Sequence, residues 1–218
     1  EQEVEQLFLA ARGLDKGQLN VGADSPYIIT PVLAAYQRRY PGGRISIRYG
    51  NTTQLMRWLQ SQRCDVAILA DIPEGPSRVH TLRLRADRLV VFVGSDHPWA
   101  ERKVVNLEDL VAERIILREK GSHTRSIFEQ ALGKAGLDLD NVMEISSREG
   151  VREAVAAGLG IGIVSKNELG TDPRFRALRV RNAELANSEF IACLSNRLME
   201  QPIEAFLALV EDTLGLTA

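Results

Sequence analysis

The strongest constraint on this chain is a rhythm: short apolar runs with strand character alternate with segments whose apolar residues recur at helical spacing. QLNVGA (18–23) reads as a strand, DSP as a turn and N-cap, and YIITPVLAAYQRRY (27–40) as a helix carrying Pro31 early. RISIRYG (44–50) alternates as a second strand. NTT then leads into QLMRWLQSQ, with Leu55, Met56 and Leu59 on one face, and DVAILA (65–70) follows as a continuous apolar strand. Parallel strands need crossover connections, and the helices between these three strands supply them, so a parallel sheet with right-handed crossovers is expected.

The rhythm breaks at HTLRLRADRLVVFVGSDHP (80–98), which holds two strand-like runs with no helix between them; a crossover into a second lobe is expected near residues 85–87. RIILR (114–118), SHTRSIFEQALGKAG (122–136), VMEIS (142–146), REGVREAVAAG (148–158) and IGIVS (161–165) then repeat the strand and helix alternation, with Gly136 closing the first helix. ALRVR (177–181) and EFIACLS (189–195) again lack an intervening helix. The amphipathic segment QPIEAFLALVEDTL (201–214) is expected to return to the first lobe. The reading is an α/β protein of two Rossmann-like lobes, 18–86 with 188–218 and 87–187, with a ligand cleft between them.

Ahead of the first strand, Val4, Leu7, Phe8 and Ala11 form one apolar stripe closed by Gly13. A helix over 1–13 is expected to bury that stripe against this domain or a second copy, in a sequence that begins mid-protein. The 27 Lys and Arg against 29 Asp and Glu give a net charge of −2, which offers no overall attraction to a phosphate backbone. No apolar run approaches the ~20 residues that span a bilayer. The acidic start is not that of a signal peptide, and Cys64 and Cys193 read as buried thiols, so a cytoplasmic protein without membrane contact is expected.

Four strand ends run into polar residues that open a helix: Asp24 and Ser25; Asn51, Thr52 and Thr53; Ser122, His123 and Thr124 after Gly121; and Ser147. In open α/β sheets ligands sit at these carboxyl ends, where helix N-termini offer unpaired N–H donors and partial positive charge. Each residue taken alone is equally an ordinary N-cap. Arg125 and Arg148 are candidates to meet an anionic group, and Asp24, Asp71 and Glu149 to receive an amine, so the expected ligand is anionic or zwitterionic. GLGIG (158–162) follows a helix and precedes a strand, the reverse of a phosphate-binding loop, so Gly158 reads as a C-cap. The histidines lack metal-ligand spacing and a nucleophile partner, so neither metal, cofactor nor catalytic residue is expected.

The ordered set EVEQLFLAARGLDKGQLNVGA, a helix ending in YP, ISIRYGNTTQLMRWLQSQRCDVAILA, RLVVFVGSDHPWA, VNLEDL, LREKGSHTRSIFEQAL and REAVAAGLGIGIVS resembles the effector-binding domain of LysR-type transcription regulators over nearly the whole chain. That resemblance implies a type 2 periplasmic-binding-protein-like fold and a small metabolite bound between the lobes. It also implies homodimers or homotetramers, and DNA contact through an N-terminal winged helix-turn-helix domain that this chain lacks, residues 1–13 being the end of its linker helix. Carried onto this sequence, the family's ligand contacts fall on residues 23–27 with Tyr27, on Asn51, Thr52 and Thr53, on Ser122 to Arg125, and on Ser147 to Glu149. Asn51 stands where the family often has Glu, a change that favours anions. The hydroxyl-rich set points to a phosphonate- or phosphate-like group, as does a resemblance to regulators of 2-aminoethylphosphonate use. A solute-binding protein of a transporter would share the same two-lobed physics and is the alternative reading.

Overall fold

The computed structural model describes residues 17–70, 72 and 78–216; the helix expected over 1–13 and Asp71 lie outside them. In chain order the elements are β1 (Gln18–Ala23), α1 (Pro26–Arg39), β2 (Arg44–Tyr49), α2 (Thr52–Gln60), β3 (Val66–Ala70) and β4 (Val79–Gly94). Then come β5 (Val104–Val105), α3 (Leu107–Leu110), β6 (Ile115–Leu117), α4 (His123–Ala135), β7 (Val142–Glu144), α5 (Arg148–Ala156) and β8 (Ile161–Ser165). The chain closes with α6 (Lys166–Leu169), β9 (Phe175–Val180), β10 (Ala186–Leu194), a 3₁₀ turn (Ser195–Arg197) and α7 (Gln201–Leu214). The two strand-like runs read over 80–98 are one unbroken strand, β4. The short β5 and α6 hold too few residues to show any period, and the sequence did not reveal them.

The chain divides into two compact units, the first holding the described residues up to Arg85 and from Glu189 on, the second being Ala86–Ser188. Both crossings fall inside continuous strands, β4 and β10.

In the first unit β1 lies between β2 and β3, parallel to both, with Ala23 in register with Tyr49 on one side and Ile68 on the other. β10 adds antiparallel to β3, Glu189 facing Ala70 and Cys193 facing Val66. Strand alternation sends Leu19, Val21, Ile68 and Ile191 into a core shared with Ile29, Val32 and Tyr36 of α1 and with Phe206 and Val210 of α7. The other sheet face, with Ala67, Leu69 and Ala192, packs on Leu55 and Leu59 of α2. Tyr36 stacks on Tyr40 and Phe206 at centroid separations of 4.8 and 5.7 Å. Burial there pushes its hydroxyl pKa up to about 12. Cys64 and Cys193 are buried free thiols; burial raises both pKa values, that of Cys64 to about 11, which keeps them protonated and unreactive.

In the second unit β6 lies between β7 and β8, parallel to both, while β4 runs antiparallel to β8 and β9. One face carries Val91, Ile115, Ile161 and Leu178 against Phe128 and Leu132 of α4. The other carries Phe92, Ile116 and Val164 against Val151 and Val155 of α5. Among the described residues no helix is long and apolar enough to cross a membrane.

The β4 and β8 register sets Gly162 opposite Phe92, and a Cβ at Gly162 would lie 2.3 Å from the phenylalanine ring. Gly133, inside α4, has nothing within 4 Å of that position. Gly162→Ala is therefore expected to cost about 1–3 kcal/mol from overpacking. Gly133→Ala should stabilise by about 0.5–1 kcal/mol through helix propensity. Urea unfolding midpoints of the two variants, moving in opposite directions, check this.

Candidate functional site

Parallel pairing in register brings the strand ends of the first unit out together. Beyond the ladder, the Gly50 amide donates to the Ala23 carbonyl at 3.1 Å and the Asp24 amide to the Ile68 carbonyl at 3.0 Å. The loop opening α1 and the loop opening α2 therefore lie side by side. Ser25 is extended and buried, and its Oγ accepts from the Tyr27 amide at 3.3 Å. Asn51 forms a capping box with Gln54, each side chain accepting from the other's backbone amide at 3.0 Å. Ser25 and Asn51 are thus N-caps, their side-chain oxygens engaged by their own helices.

Asp24 and Thr52 converge on one peptide unit. The Asp24 carboxylate accepts from the Ala70 amide at 2.9 Å, and the buried Thr52 hydroxyl donates to the Ala70 carbonyl at 3.2 Å. These bonds tie the ends of β1 and β3 to the start of α2. Asp24, expected to receive an amine, and Thr52, expected to present its hydroxyl to a ligand, both close the sheet edge through these bonds. Thr53 and Tyr27 are exposed, and neither hydroxyl is hydrogen-bonded among the described residues. Neither α1 nor α2 has an acidic residue in its first turn.

The second unit repeats the arrangement. Leu117 of β6 and Glu144 of β7 are in register, and the Ile145 amide donates to the Leu117 carbonyl at 2.9 Å, so the starts of α4 and α5 follow neighbouring strand ends. Ser147 caps α5 by accepting from the Gly150 amide at 2.9 Å, and Glu149, exposed, sits in that first turn. Ser122 differs. It stands at the N-cap of α4 and is 5% exposed, yet its hydroxyl caps nothing and makes no hydrogen bond among the described residues. Thr124, half-buried one residue inside the helix, likewise has an unspent hydroxyl, and α4 has no acidic residue in its first turn. His123 is half-buried at the helix start.

The two arginines expected to carry charge for an anion both pair with carboxylates. Arg125 donates to Glu129 at 2.6 Å, to Glu144 at 2.5 Å and to the Arg118 carbonyl at 2.9 Å, binding α4 to the ends of β6 and β7. Arg148 pairs at 3.1 Å with Glu168, a buried carboxylate that would be costly unpaired. Sequence reading missed the fork formed by Arg85 and Glu189, with Nε to Oε2 at 2.7 Å and Nη2 to Oε1 at 3.2 Å. Its one visible signal was a single carboxylate heading the otherwise uncharged strand EFIACLS. Among the described residues no group of His, Cys, Asp and Glu could hold a metal ion.

Fold and strand-end loops define an α/β ligand-binding domain of the type 2 periplasmic-binding-protein-like class. The LysR substrate binding domain profile matches residues 12–215, and the chain belongs to that family. It is 31% identical over 172 residues to the HTH-type transcriptional activator CmpR of Synechocystis, covering 78% of this chain and 56% of that protein. It is 30% identical over 171 residues to the HTH-type transcriptional regulator CysL of Bacillus subtilis, covering 76% and 56%. The chain thus spans about half the length of these curated relatives. The regulatory domain of Synechocystis CcmR, solved in complex with 2-PG, superposes with a TM-score of 0.82 at 26% identity, covering 93% of this chain and 100% of that one. The effector-binding domain of QuiR, solved with shikimate, shares the fold at a TM-score of 0.77 and 18% identity, covering 89% and 95%.

The hydroxyls of Thr52 and Ser122 should separate on substitution. Thr52→Val removes a donor from the Ala70 carbonyl and is expected to lower stability by about 1–2 kcal/mol. Ser122→Ala removes a hydroxyl bonded to nothing and should stay within about 0.5 kcal/mol of the parent. Chemical denaturation of the two variants measures both.

Proposed function

We propose that this chain is the effector-sensing part of a LysR-type transcription regulator, and that its effector is a small anion or zwitterion met by helix N-termini at the carboxyl ends of the parallel strands. The observation that carries the reading is Ser122: a residue at a helix N-cap, 5% exposed, whose hydroxyl makes no hydrogen bond among the described residues, beside the unspent hydroxyl of Thr124. An oxyanion at the start of α4 would take these hydroxyls as donors while meeting the positive end of the helix dipole. Thr53 and Tyr27 offer exposed hydroxyls at the corresponding edge of the first unit. Glu149 at the start of α5 makes that end unfavourable to an anion and suited to an amine, so the first turns of α4 and α5 together favour a zwitterion. A phosphonate such as 2-aminoethylphosphonate has both charges. The relative solved with 2-PG supports a small ligand for this fold.

In the full-length protein a winged helix-turn-helix domain upstream would contact DNA, and homo-oligomers in the cytoplasm would transmit the ligand's preference between conformations to the operator. The match to regulators such as CmpR and CysL does not favour the transporter alternative.

Thermal-shift and calorimetric titrations with 2-aminoethylphosphonate, methylphosphonate and inorganic phosphate test the proposal, because a ligand that binds only the native state raises its melting temperature. Stabilisation by at least one of these anions is expected. Ser122→Ala should weaken it by about 0.5–1.5 kcal/mol, the worth of one hydrogen bond. Absence of stabilisation by any of the anions, or an unchanged affinity in Ser122→Ala, would overturn the assignment.

A further inference from the structure

One buried acceptor of the second unit is left over by the fold. Asn187 is 5% exposed, and its side-chain Oδ1 is buried with no hydrogen bond among the described residues. A buried amide oxygen without a donor costs free energy that a donor on a ligand recovers. From its place in the fold we infer that Asn187, with Asp87 beside it, receives the amine of a zwitterionic effector whose oxyanion lies at the start of α4. The inference rests on the anion-binding reading above and adds the group that selects for the opposite charge.

Asp87, Ser122, Thr124 and Asn187 all belong to the second unit. β10 and β4 are neighbours in the sheet, and the Leu89 amide donates to the Leu185 carbonyl at 2.8 Å. The fork of Arg85 with Glu189 continues the same antiparallel pairing, which sets Asp87 opposite Asn187. Side chains two residues apart on a strand share a face. Asp87 and Asn187 therefore follow Leu89 and Leu185, which pack in one core with Phe128 and Leu132 of α4. Their level is set by β8: Leu89 is in register with Ser165, the last residue of that strand, so the pair lies one step beyond its carboxyl end. In keeping with this, the Asp87 carboxylate accepts from the Ser165 hydroxyl, and from the Asn167 amide at 3.2 Å. α4 lies against β8 and starts from the same carboxyl edge, with Ser122 and Thr124 at its opening. The orphan oxygen and the helix start thus share one face and one edge of one unit.

Neighbouring strands are about 4.8 Å apart, which puts β10 about 10 Å from β8. A hydrogen bond takes about 3 Å at each end, leaving about 4 Å for the ligand between its two polar ends. That is the reach of a short carbon chain. Asn187 supplies a neutral acceptor, and the adjacent Asp87 carboxylate supplies the charge that favours an ammonium over a hydroxyl. Unlike Glu149, which is exposed, Asn187 is buried, so a donor that reaches it is held away from solvent.

Titration calorimetry with 2-aminoethylphosphonate and with ethylphosphonate, which lacks only the amine, reads this selectivity. The parent is expected to bind the aminophosphonate roughly tenfold to a hundredfold more tightly, as for a hydrogen bond to a charged group. Asn187→Leu, close in shape and without the orphan oxygen, should lose most of that preference, keep the parent's affinity for ethylphosphonate, and melt no lower than the parent when free of ligand. The parent alone gives a readout that does not depend on the variant folding. In an asparagine-labelled ¹H–¹⁵N spectrum, the Asn187 side-chain amide signal should move with 2-aminoethylphosphonate and stay in place with ethylphosphonate. Suppose the parent binds these phosphonates and Ser122→Ala weakens both. If the parent then shows no preference for the amine, or Asn187→Leu retains the preference, or the Asn187 signal stays fixed, the role of Asn187 is overturned and the helix N-terminal site stands. If the parent binds neither compound, the helix N-terminal site is overturned, and Asn187 with it.

Discussion

Parallel strand pairing in register is the constraint on which the rest depends. In the first unit Ala23, Tyr49 and Ile68 stand level, and in the second Leu117 and Glu144 do. β1 and β2 in the first unit and β6 and β7 in the second are each followed within six residues by a helix, so helix starts gather at one edge of each sheet. That edge therefore carries a concentration of amide donors and positive dipole ends that no single residue creates. Antiparallel β4 and β10, which carry the chain between units, contribute instead the side chains of Arg85 and Glu189.

At such an edge the decisive question for each polar group is whether the fold has already engaged it. Ser25, Asn51 and Ser147 cap their own helices, Asp24 and Thr52 close the end of β3, and Arg125 and Arg148 neutralise carboxylates. These groups shape the edge without being available at its surface. What is left over includes the hydroxyls of Thr53 and Tyr27 in the first unit, and the hydroxyls of Ser122 and Thr124 with the carboxylate of Glu149 in the second. The charged effector proposed above rests on the chemistry of that remainder.

The fold was legible in the sequence wherever periodicity was strong. β1, β8 and α7 have the bounds read from QLNVGA, IGIVS and QPIEAFLALVEDTL, because burial on one or both faces leaves an apolar pattern that local residues report directly. The candidate site was legible as a set of strand ends but not as a set of available groups. Whether Thr52 donates to Ala70, eighteen residues away, or Arg125 to Glu144, nineteen away, depends on long-range register that no local pattern encodes. The fork of Arg85 and Glu189 joins residues 104 apart, which is why it escaped sequence reading.

The central claim, that ligand is taken at the helix starts on the carboxyl edges, is tested most directly by mapping backbone amides in a ¹H–¹⁵N spectrum during titration with 2-aminoethylphosphonate. The expected result is that the largest shifts fall on the first-turn amides of α4, at His123, Thr124 and Arg125, and on those of Thr52 and Thr53 in α2. Saturable shifts confined to residues away from these helix starts, such as β9 or the C-terminal turn of α7, would contradict it.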